Sequence, residues 1–233
     1  MTARSRTQLV LFDIDGTLLL SGGAGKRALN RAFKESFGVD DGFDSIPVAG
    51  RTDALILRDA LDRSGVVATD SCRVGFFTRY YEYLEQEIIY PGRNKGLMPG
   101  VSLLLERLVP LPDVVTGLLT GNFARAAKIK LQYFGIWDYF VLGAYGDDAP
   151  LRDDLVPIAV SRARANNFLI VSSADTIVVG DTPLDVRCAL AGGARSVAVC
   201  TGSYGESELR EAGADLILPD LADSERFLKL ILG

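Results

Sequence analysis

The chain contains no histidine, and this absence removes several catalytic classes at once. Ser-His-Asp and Cys-His catalysis, histidine general bases and histidine-ligated zinc all need an imidazole. Any chemistry must therefore use carboxylates, hydroxyls, lysine, arginine or a hard metal ion. The 233 residues include three cysteines, scattered without a CxxC pattern, which favours reduced thiols over a disulfide framework.

The sequence also has no dense run of lysine and arginine and no long apolar segment. Its net charge of −5 argues against nucleic-acid binding, which normally needs a basic patch. The apolar run that begins at Leu9 is short and is interrupted by Asp13 and Asp15, so it predicts neither a secretory signal nor a membrane span. We therefore expect a cytoplasmic protein, a monomer or a homodimer, without a nucleic-acid or membrane partner.

The hydrophobic patterns change in character along the chain. Leu9–Phe12 is typical of a buried strand, and a cluster of glycine and proline at residues 91–100 marks a boundary. Three helices are predicted between these two features, and helices alternate with strands after them. The predicted helices are Ala24–Phe37, Asp53–Ser64, Ser71–Ile89, Val101–Leu108, Phe123–Phe134, Asp154–Asn166 and Pro183–Ala191. The later predicted strands are Val114–Leu119, Tyr139–Leu142, Thr176–Val179, Ser196–Val199 and Leu216–Ile217.

This alternation predicts an α/β fold with a doubly wound, mostly parallel, Rossmann-like sheet that helices cover on both faces. The first strand belongs with that sheet, yet about eighty mostly helical residues separate it from the next strand. We therefore predict an α/β catalytic core of residues 1–18 and 98–233 with an inserted α-helical cap of residues 19–97. In such a sheet, ligands bind beyond the carboxyl ends of the strands.

Three polar motifs follow predicted strands and should meet at that edge. DIDGT begins at Asp13, TGN begins at Thr120, and GDTPLD contains Asp181 and Asp185. Two carboxylates about 4 Å apart repel by roughly 4 kcal/mol at an effective dielectric of about 20. A converging cluster therefore implies shifted pKa values or a bound cation, and Mg²⁺ fits best because the available ligands are oxygens.

The second and third motifs carry further signals. Thr120 supplies a hydroxyl, and Gly121 and Asn122 supply backbone N–H groups, which are donors that suit phosphate oxygens. Thr182 followed by Pro183 predicts a helix start, with threonine at the N-cap and proline at the first helical position.

Together, DxDGT, a strand ending in threonine and GDxxxD resemble, in this order, the haloacid dehalogenase-like phosphohydrolase superfamily. The resemblance covers essentially the whole chain. The helical insert after the first strand is similar to the cap of the phosphoglycolate phosphatase-like and β-phosphoglucomutase-like branches. The segment GRTD, which begins at Gly50, resembles the GxTD segment found in those caps.

The resemblance implies a role for each motif residue. Asp13 would attack phosphorus and form an aspartyl-phosphate, and Asp15 would protonate the leaving oxygen and then activate water. Thr120 would hydrogen-bond the phosphoryl oxygens. The metal site would comprise Asp13, Asp15 through its carbonyl and Asp181, while Asp185 would orient the metal's surroundings.

The family usually has a lysine, and sometimes an arginine, on the loop or helix start that precedes the final strand, and this chain departs from the commoner pattern. Arg152 is the best match here, and arginine can pair with phosphate in bidentate fashion. Lys128 and Lys130 are weaker candidates, because their helix is expected to carry them away from the strand end.

Several residues of the predicted cap have two interpretations. Arg51 and Thr52 are candidate substrate contacts, although Arg51 and Asp53 can equally form a charge pair at a helix start. The segment 22–27 does not match a P-loop, but Gly23 and Lys26 are candidate contacts because the cap's entry can face the active site. Aromatic residues of the third helix are expected in the cap's core rather than in a ligand box; they are Phe76, Phe77, Tyr80, Tyr81 and Tyr83.

The sequence thus predicts a Mg²⁺-dependent phosphatase that acts on a small phosphorylated metabolite such as phosphoglycolate. A near alternative is a β-phosphoglucomutase-like sugar-phosphate mutase, which transfers the phosphoryl group to a sugar instead of to water. An alternative of another class is a phospho-accepting regulatory or binding protein. The substrate itself cannot be predicted, because cap residues select it without a transferable code.

Overall fold

The computed structural model describes residues 7–166, 168 and 172–232, and the remaining parts of the predicted core (residues 1–6, 167, 169–171 and 233) lie outside the described residues. The strands are β1 Gln8–Phe12, β2 Leu19–Leu20, β3 Gly96–Leu97, β4 Val114–Leu119, β5 Leu142–Ala144, β6 Thr176–Gly180, β7 Arg195–Val199 and β8 Leu216–Leu218. The helices are α1 Ala24–Phe37, α2 Asp53–Arg63, α3 Asp70–Glu87, α4 Val101–Leu108, α5 Ala124–Tyr133, α6 Leu155–Ala165, α7 Pro183–Ala191, α8 Glu206–Glu211 and α9 Ser224–Leu232.

Six strands form one parallel sheet in the order β5-β4-β1-β6-β7-β8. Alternate residues of β1 face opposite sides: Val10 and Phe12 belong to one hydrophobic cluster, and Leu9 and Leu11 belong to the other. A strand buried on both faces is what helices on both sides of a parallel sheet require. The predicted α/β, doubly wound fold is therefore confirmed.

The order of the strands brings the three predicted motifs together. β1 lies between β4 and β6, so the carboxyl ends of these three strands are neighbours at one edge of the sheet. The order of the strands reverses at β1, because β4 and β5 lie on one side of it and β6, β7 and β8 lie on the other. Ligands of open α/β sheets bind in the crevice at such a point.

Helices α1, α2 and α3 form an insert between β2 and β3, which pair antiparallel at its base. The insert has its own hydrophobic cluster, in which the rings of Phe33 and Phe43 meet edge to face with centroids 5.2 Å apart. Ala126 of α5 also belongs to this cluster, and the ring of Phe77 stacks on that of Phe123 at 4.3 Å. The helical insert therefore packs directly against the carboxyl edge of the sheet.

Local sequence explains where the helices begin. Thr52 and Thr69 cap α2 and α3, each accepting a hydrogen bond from a backbone N–H of the first turn. Helix α7 begins as predicted, with Thr182 at its N-cap and Pro183 at its first position. In the part of the chain that the structure covers, no helix combines the length and the apolar character needed to cross a bilayer.

The strand predicted at Tyr139–Leu142 is displaced, and the observed β5 is Leu142–Ala144. The first residue of the predicted strand, Tyr139, instead ends a 3-10 turn at Trp137–Tyr139. The glycine and alanine of β5 have low strand propensity, but the strand is held by pairing with β4. Tertiary pairing thus outweighed local propensity at this edge.

Candidate active site

The loop after β1 places the first two acidic residues. Asp13 directly follows the strand, and its backbone N–H donates to the Val179 carbonyl at 2.9 Å. The loop then turns at Gly16, whose φ of +90° is in the region that favours glycine. A Cβ on Gly16 would lie 2.5 Å from Oδ2 of Asp181, so a larger residue here would displace that carboxylate.

Asp13 is buried and paired with an arginine. Its Oδ1 lies 2.9 Å from Nη2 of Arg152, and the same guanidinium contacts the carboxylate of Asp185. Burial raises the pKa of Asp13 to about 6, an effect that Arg152 partly offsets and the Asp185 charge reinforces. Arg152 therefore orients Asp13 and holds two carboxylates close to each other.

Asp13, Asp181 and Asp185 form a buried acidic cluster in which one carboxylate oxygen from each lies within 4.8 Å of the others. Burial, followed by repulsion from the other two carboxylates, raises the pKa of Asp181 to about 8. The Thr17 hydroxyl donates to Oδ1 of Asp181 at 2.9 Å. Such a concentration of oxygen ligands and charge fits a hard divalent cation, which would relieve the repulsion.

Asp185 has both carboxylate oxygens occupied within the protein. Its Oδ2 accepts from the backbone N–H of Thr182 at 3.0 Å and from the Thr182 hydroxyl at 2.7 Å, while Oδ1 faces Arg152. This capping box fixes Asp185 at the start of α7.

Asp15 is half-buried and lies in a second polar cluster. Its Oδ2 accepts from Nδ2 of Asn122 at 2.9 Å and from Nζ of Lys130 at 2.5 Å. Lys130 also donates to Oδ1 of Asn122 at 2.7 Å, and Nδ2 of Asn122 donates to Oγ1 of Thr120 at 2.9 Å. These contacts fix the Asp15 carboxylate relative to the end of β4.

The loop after β4 is also the docking point of the helical insert. The Asp53 N–H donates to the Gly121 carbonyl at 2.8 Å, and the Phe123 N–H donates to Oδ2 of Asp53 at 2.9 Å. A Cβ on Gly121 would lie 2.0 Å from the Arg51 carbonyl oxygen, so only glycine permits this approach. Nη1 of Arg152 donates to the Gly50 carbonyl at 3.1 Å, which links the insert to Asp13.

A cavity of about 210 Å³ lies between the insert and the sheet. Its lining includes residues from both parts, among them Asp13, Asp15, Thr120, Arg152, Lys130, Gly25 and Tyr80. Pockets for drug-sized ligands are usually about 300–1,000 Å³, so this cavity suits a smaller molecule.

Comparisons with known proteins agree with this geometry. A family model described as HAD-hydrolase-like matches residues 156–224. A phosphoglycolate phosphatase of Chromobacterium violaceum is 30% identical, in an alignment that covers 94% of this chain and 96% of the relative. The chain belongs to the HAD-like hydrolase family.

Two further proteins are similar to this HAD-like chain over nearly their whole length. The probable phosphatase IndB of Dickeya dadantii is 26% identical, with 92% of this chain and 90% of that protein covered. The crystal structure of a predicted phosphoglycolate phosphatase from Haemophilus somnus matches with a TM-score of 0.72 at 19% identity, covering 97% of this chain and all of that one. This HAD-like protein is a phosphoric monoester hydrolase, as expected from its sequence.

The two candidate substrate contacts of the insert, Arg51 and Thr52, have different surroundings from each other in this HAD-like hydrolase. Arg51 lines the cavity, but its guanidinium bonds to Asp59 at 2.5 Å. The expected alternative, a charge pair of Arg51 with Asp53, is therefore wrong. Thr52 is fully buried, caps α2 and does not line the cavity, which argues against the substrate contact predicted for it.

The position of Lys130 differs from the one expected from the sequence. Its helix is expected from the sequence to carry it away from the site, yet its side chain is buried and reaches Asp15. The signal was present in the sequence, because Lys130 shares the buried face of α5 with Ala126, Ala127 and Leu131. A lysine on an apolar helical face needs a buried partner. Lys128 instead lies over the Trp137 ring, 5.8 Å from its centroid.

Asp53 provides a test of how the insert docks. Burial raises its pKa to about 6, above its value in the unfolded chain. The folded state then binds the proton more tightly, so Asp53 makes stability fall as pH rises from about 4 to about 6. Asp53→Asn keeps an acceptor for the Phe123 N–H and should stabilise the protein by about 1–3 kcal/mol at pH 7.5, but much less at pH 4. Urea unfolding at both pH values checks this, and equal effects at both would contradict it.

Proposed function

We propose that this HAD-like hydrolase is a Mg²⁺-dependent phosphatase that cleaves a small phosphomonoester of the phosphoglycolate kind through an aspartyl-phosphate on Asp13. The observation that carries the proposal is the surroundings of Asp13. This buried carboxylate lies 2.9 Å from Arg152, shares a cluster with Asp181 and Asp185, and lines a small cavity together with Asp15. The phosphatases among its relatives support the same chemistry.

In the first half-reaction, a carboxylate oxygen of Asp13 attacks phosphorus, and the bond from phosphorus to the leaving oxygen breaks. Asp15 gives its proton to that leaving oxygen. Arg152 and the Thr120 hydroxyl provide donors for the phosphoryl oxygens, while the ion pair with Arg152 holds Asp13 in its attacking orientation.

In the second half-reaction, water attacks the phosphorus of the aspartyl-phosphate. Asp15 takes the proton from this water, and Asp13 leaves as a carboxylate when phosphate is formed. The hydrogen bonds from Asn122 and Lys130 hold the Asp15 side chain in one place for both proton transfers.

The acidic cluster provides the ligands for Mg²⁺. Asp13 and Asp181 would hold the ion with the Asp15 carbonyl, and Asp185, whose oxygens are occupied by Thr182 and Arg152, would orient these neighbours. When bound, the ion neutralises charge on the transferring phosphoryl group.

We further propose that residues 19–97 act as a cap over the core formed by residues 1–18 and 98–233. The cavity is lined from both sides, the Asp53 N–H donates to the Gly121 carbonyl, and the Phe123 N–H donates to the Asp53 carboxylate. A cap in this position would exclude bulk water from Asp13 while a substrate is bound, which favours transfer to the aspartate over direct hydrolysis.

Phosphate release from phosphoglycolate and other small phosphomonoesters, measured with Mg²⁺ and with EDTA, tests this function. We expect release with Mg²⁺ and none with EDTA until Mg²⁺ is restored. Conversion of a sugar phosphate to its isomer without phosphate release would instead indicate a mutase. Activity that chelation leaves unchanged would remove the metal from the mechanism.

The role of Asp15 can be tested through the leaving group. Asp15→Asn should lower kcat for an alkyl phosphate by about 10²–10⁴-fold, because the leaving alkoxide then receives no proton. For p-nitrophenyl phosphate the loss in the first half-reaction should be much smaller, since nitrophenolate leaves without protonation. Burst kinetics on both substrates separate the two half-reactions. If Asp15→Asn lowers the rate of the first half-reaction equally for both substrates, the role of Asp15 as the acid is contradicted.

A further inference from the structure

The end of the cavity at the start of helix α1 contains donors that the proposed chemistry does not use. Helix α1 begins there, with Gly23 as an N-cap that makes no side-chain capping bond. The backbone N–H groups of Gly25 and Lys26 have no acceptor within the described residues, and both residues line the cavity. The first N–H groups of a helix, together with its dipole, favour an anion.

Tyr80 gives an independent indication of a ligand at this end. Its side chain is 1% exposed and belongs to the hydrophobic cluster of the insert, yet the residue lines the cavity. Across the described ranges, no hydrogen bond is made by its hydroxyl. A buried tyrosine normally has a partner for this group, so a polar partner from a ligand would satisfy it.

Lys130 adds a positive charge at the same place. Its ammonium has three N–H donors, of which two bond to Asp15 and Asn122. A Cβ built on Gly25 would lie 3.8 Å from Nζ of Lys130 and 4.0 Å from the Tyr80 hydroxyl, so these groups surround one small space. The nearby carboxylates have partners of their own: Asp15 has Lys130 and Asn122, and Asp53 accepts from Phe123.

Given the proposed phosphatase function, on which this step rests, we propose that this space binds a second anionic group of the substrate. The Gly25 and Lys26 N–H groups, the Tyr80 hydroxyl and the third N–H of Lys130 bind that anion. The substrate class is then a small phosphomonoester that carries a carboxylate or a second phosphate. The Lys26 ammonium is not part of this site, because it pairs with Asp44 at 3.1 Å.

Three substrates that differ in this second group test the proposal: phosphoglycolate, its neutral amide of the same shape, and a short diol bisphosphate. For at least one of the two substrates with an anionic second group, phosphoglycolate or the bisphosphate, the wild type should show a kcat/KM at least about tenfold above that for the amide. Hydrogen bonds to a charged group are stronger than those to a neutral one. The preferred anion identifies whether carboxylate or phosphate occupies the space.

Two variants address the site directly. Tyr80→Phe removes one donor and should reduce the preference for the anionic substrate about tenfold, mainly through KM. Gly25→Ala places a methyl group within the space at ordinary contact distances, so the variant should fold. Alanine also has a higher helix propensity than glycine. Because the methyl group occupies the space, the preference for the anionic substrate should fall further. Tyr83→Phe is the matched control, because Tyr83 lies on the same helix but bonds to Glu35 outside the cavity.

The outcomes separate this proposal from the function on which it rests. Phosphate release from all substrates without preference, or equal preference in Tyr80→Phe, Gly25→Ala and the control, would overturn the anion site and leave the phosphatase intact. Failure to release phosphate from any phosphomonoester with Mg²⁺ would overturn both. A melting temperature for each variant close to that of the wild type establishes that the changes in preference are not unfolding.

Discussion

Asp13→Asn is expected to lower kcat by at least about 10⁴-fold while the protein remains folded, because the amide cannot attack phosphorus. The substitution preserves shape, and the amide oxygen can still accept from Arg152. It also removes a buried carboxylate whose pKa is raised to about 6, so the melting temperature should be unchanged or higher. Rapid-quench measurement of phosphate release and thermal unfolding check the two halves of this prediction.

Asp138→Asn is the matched control for this substitution. Asp138 is exposed and does not line the cavity, so the same chemical change there should leave kcat within about twofold. Phosphatase activity retained in Asp13→Asn would contradict the assignment of the nucleophile.

Mg²⁺ is expected to raise the melting temperature of the wild type by about 5–10 °C at a concentration of about 100 Kd, and to leave that of Asp181→Asn nearly unchanged. Binding at 100 Kd contributes about 2.7 kcal/mol, and each kcal/mol shifts a chain of this size by about 2–4 °C. Activity of the variant should fall at least about 100-fold at low Mg²⁺.

The size of this thermal shift should depend on pH. The pKa values of Asp13 and Asp181 are raised to about 6 and about 8 by burial and mutual repulsion. In the absence of the ion, the folded state therefore loses stability as pH rises through this range, because the unfolded state binds fewer protons. Mg²⁺ binds the deprotonated carboxylates, so at one fixed Mg²⁺ concentration its effect should be larger at pH 8 than at pH 6. An equal shift in Asp181→Asn would contradict the metal site.

The acidic cluster was predictable from the sequence because two of its residues, Asp13 and Asp181, directly follow strands and the third begins the next helix. In a parallel sheet, the residue after each strand lies at one edge, so Asp13, Thr120 and Asp181 had to be neighbours once β1 paired between β4 and β6. The capping signal of Thr182 and Pro183 likewise fixed Asp185 in the first turn of α7. These inferences needed only the direction of the chain and the ends of the elements.

The surroundings of Asp15 were not predictable in the same way. The contact of Lys130 with Asp15 depends on the rotation of α5 against the sheet and on the reach of a long side chain. The contacts of Arg51 and Thr52 depend on how the insert docks, and the backbone N–H and the carboxylate of Asp53 both bond to the loop after β4. Side-chain positions across two packed units follow from tertiary contacts that are distant in sequence.

The most direct test of the central claim is to trap the phosphorylated residue. Wild-type enzyme is mixed with substrate and Mg²⁺, quenched in acid within milliseconds to seconds, reduced with borohydride and digested for mass spectrometry. Borohydride converts a phosphorylated aspartate to homoserine, and we predict homoserine at residue 13, absent without substrate and absent in Asp13→Asn. Homoserine at a different aspartate, or turnover with no modified peptide at any quench time, would contradict the account.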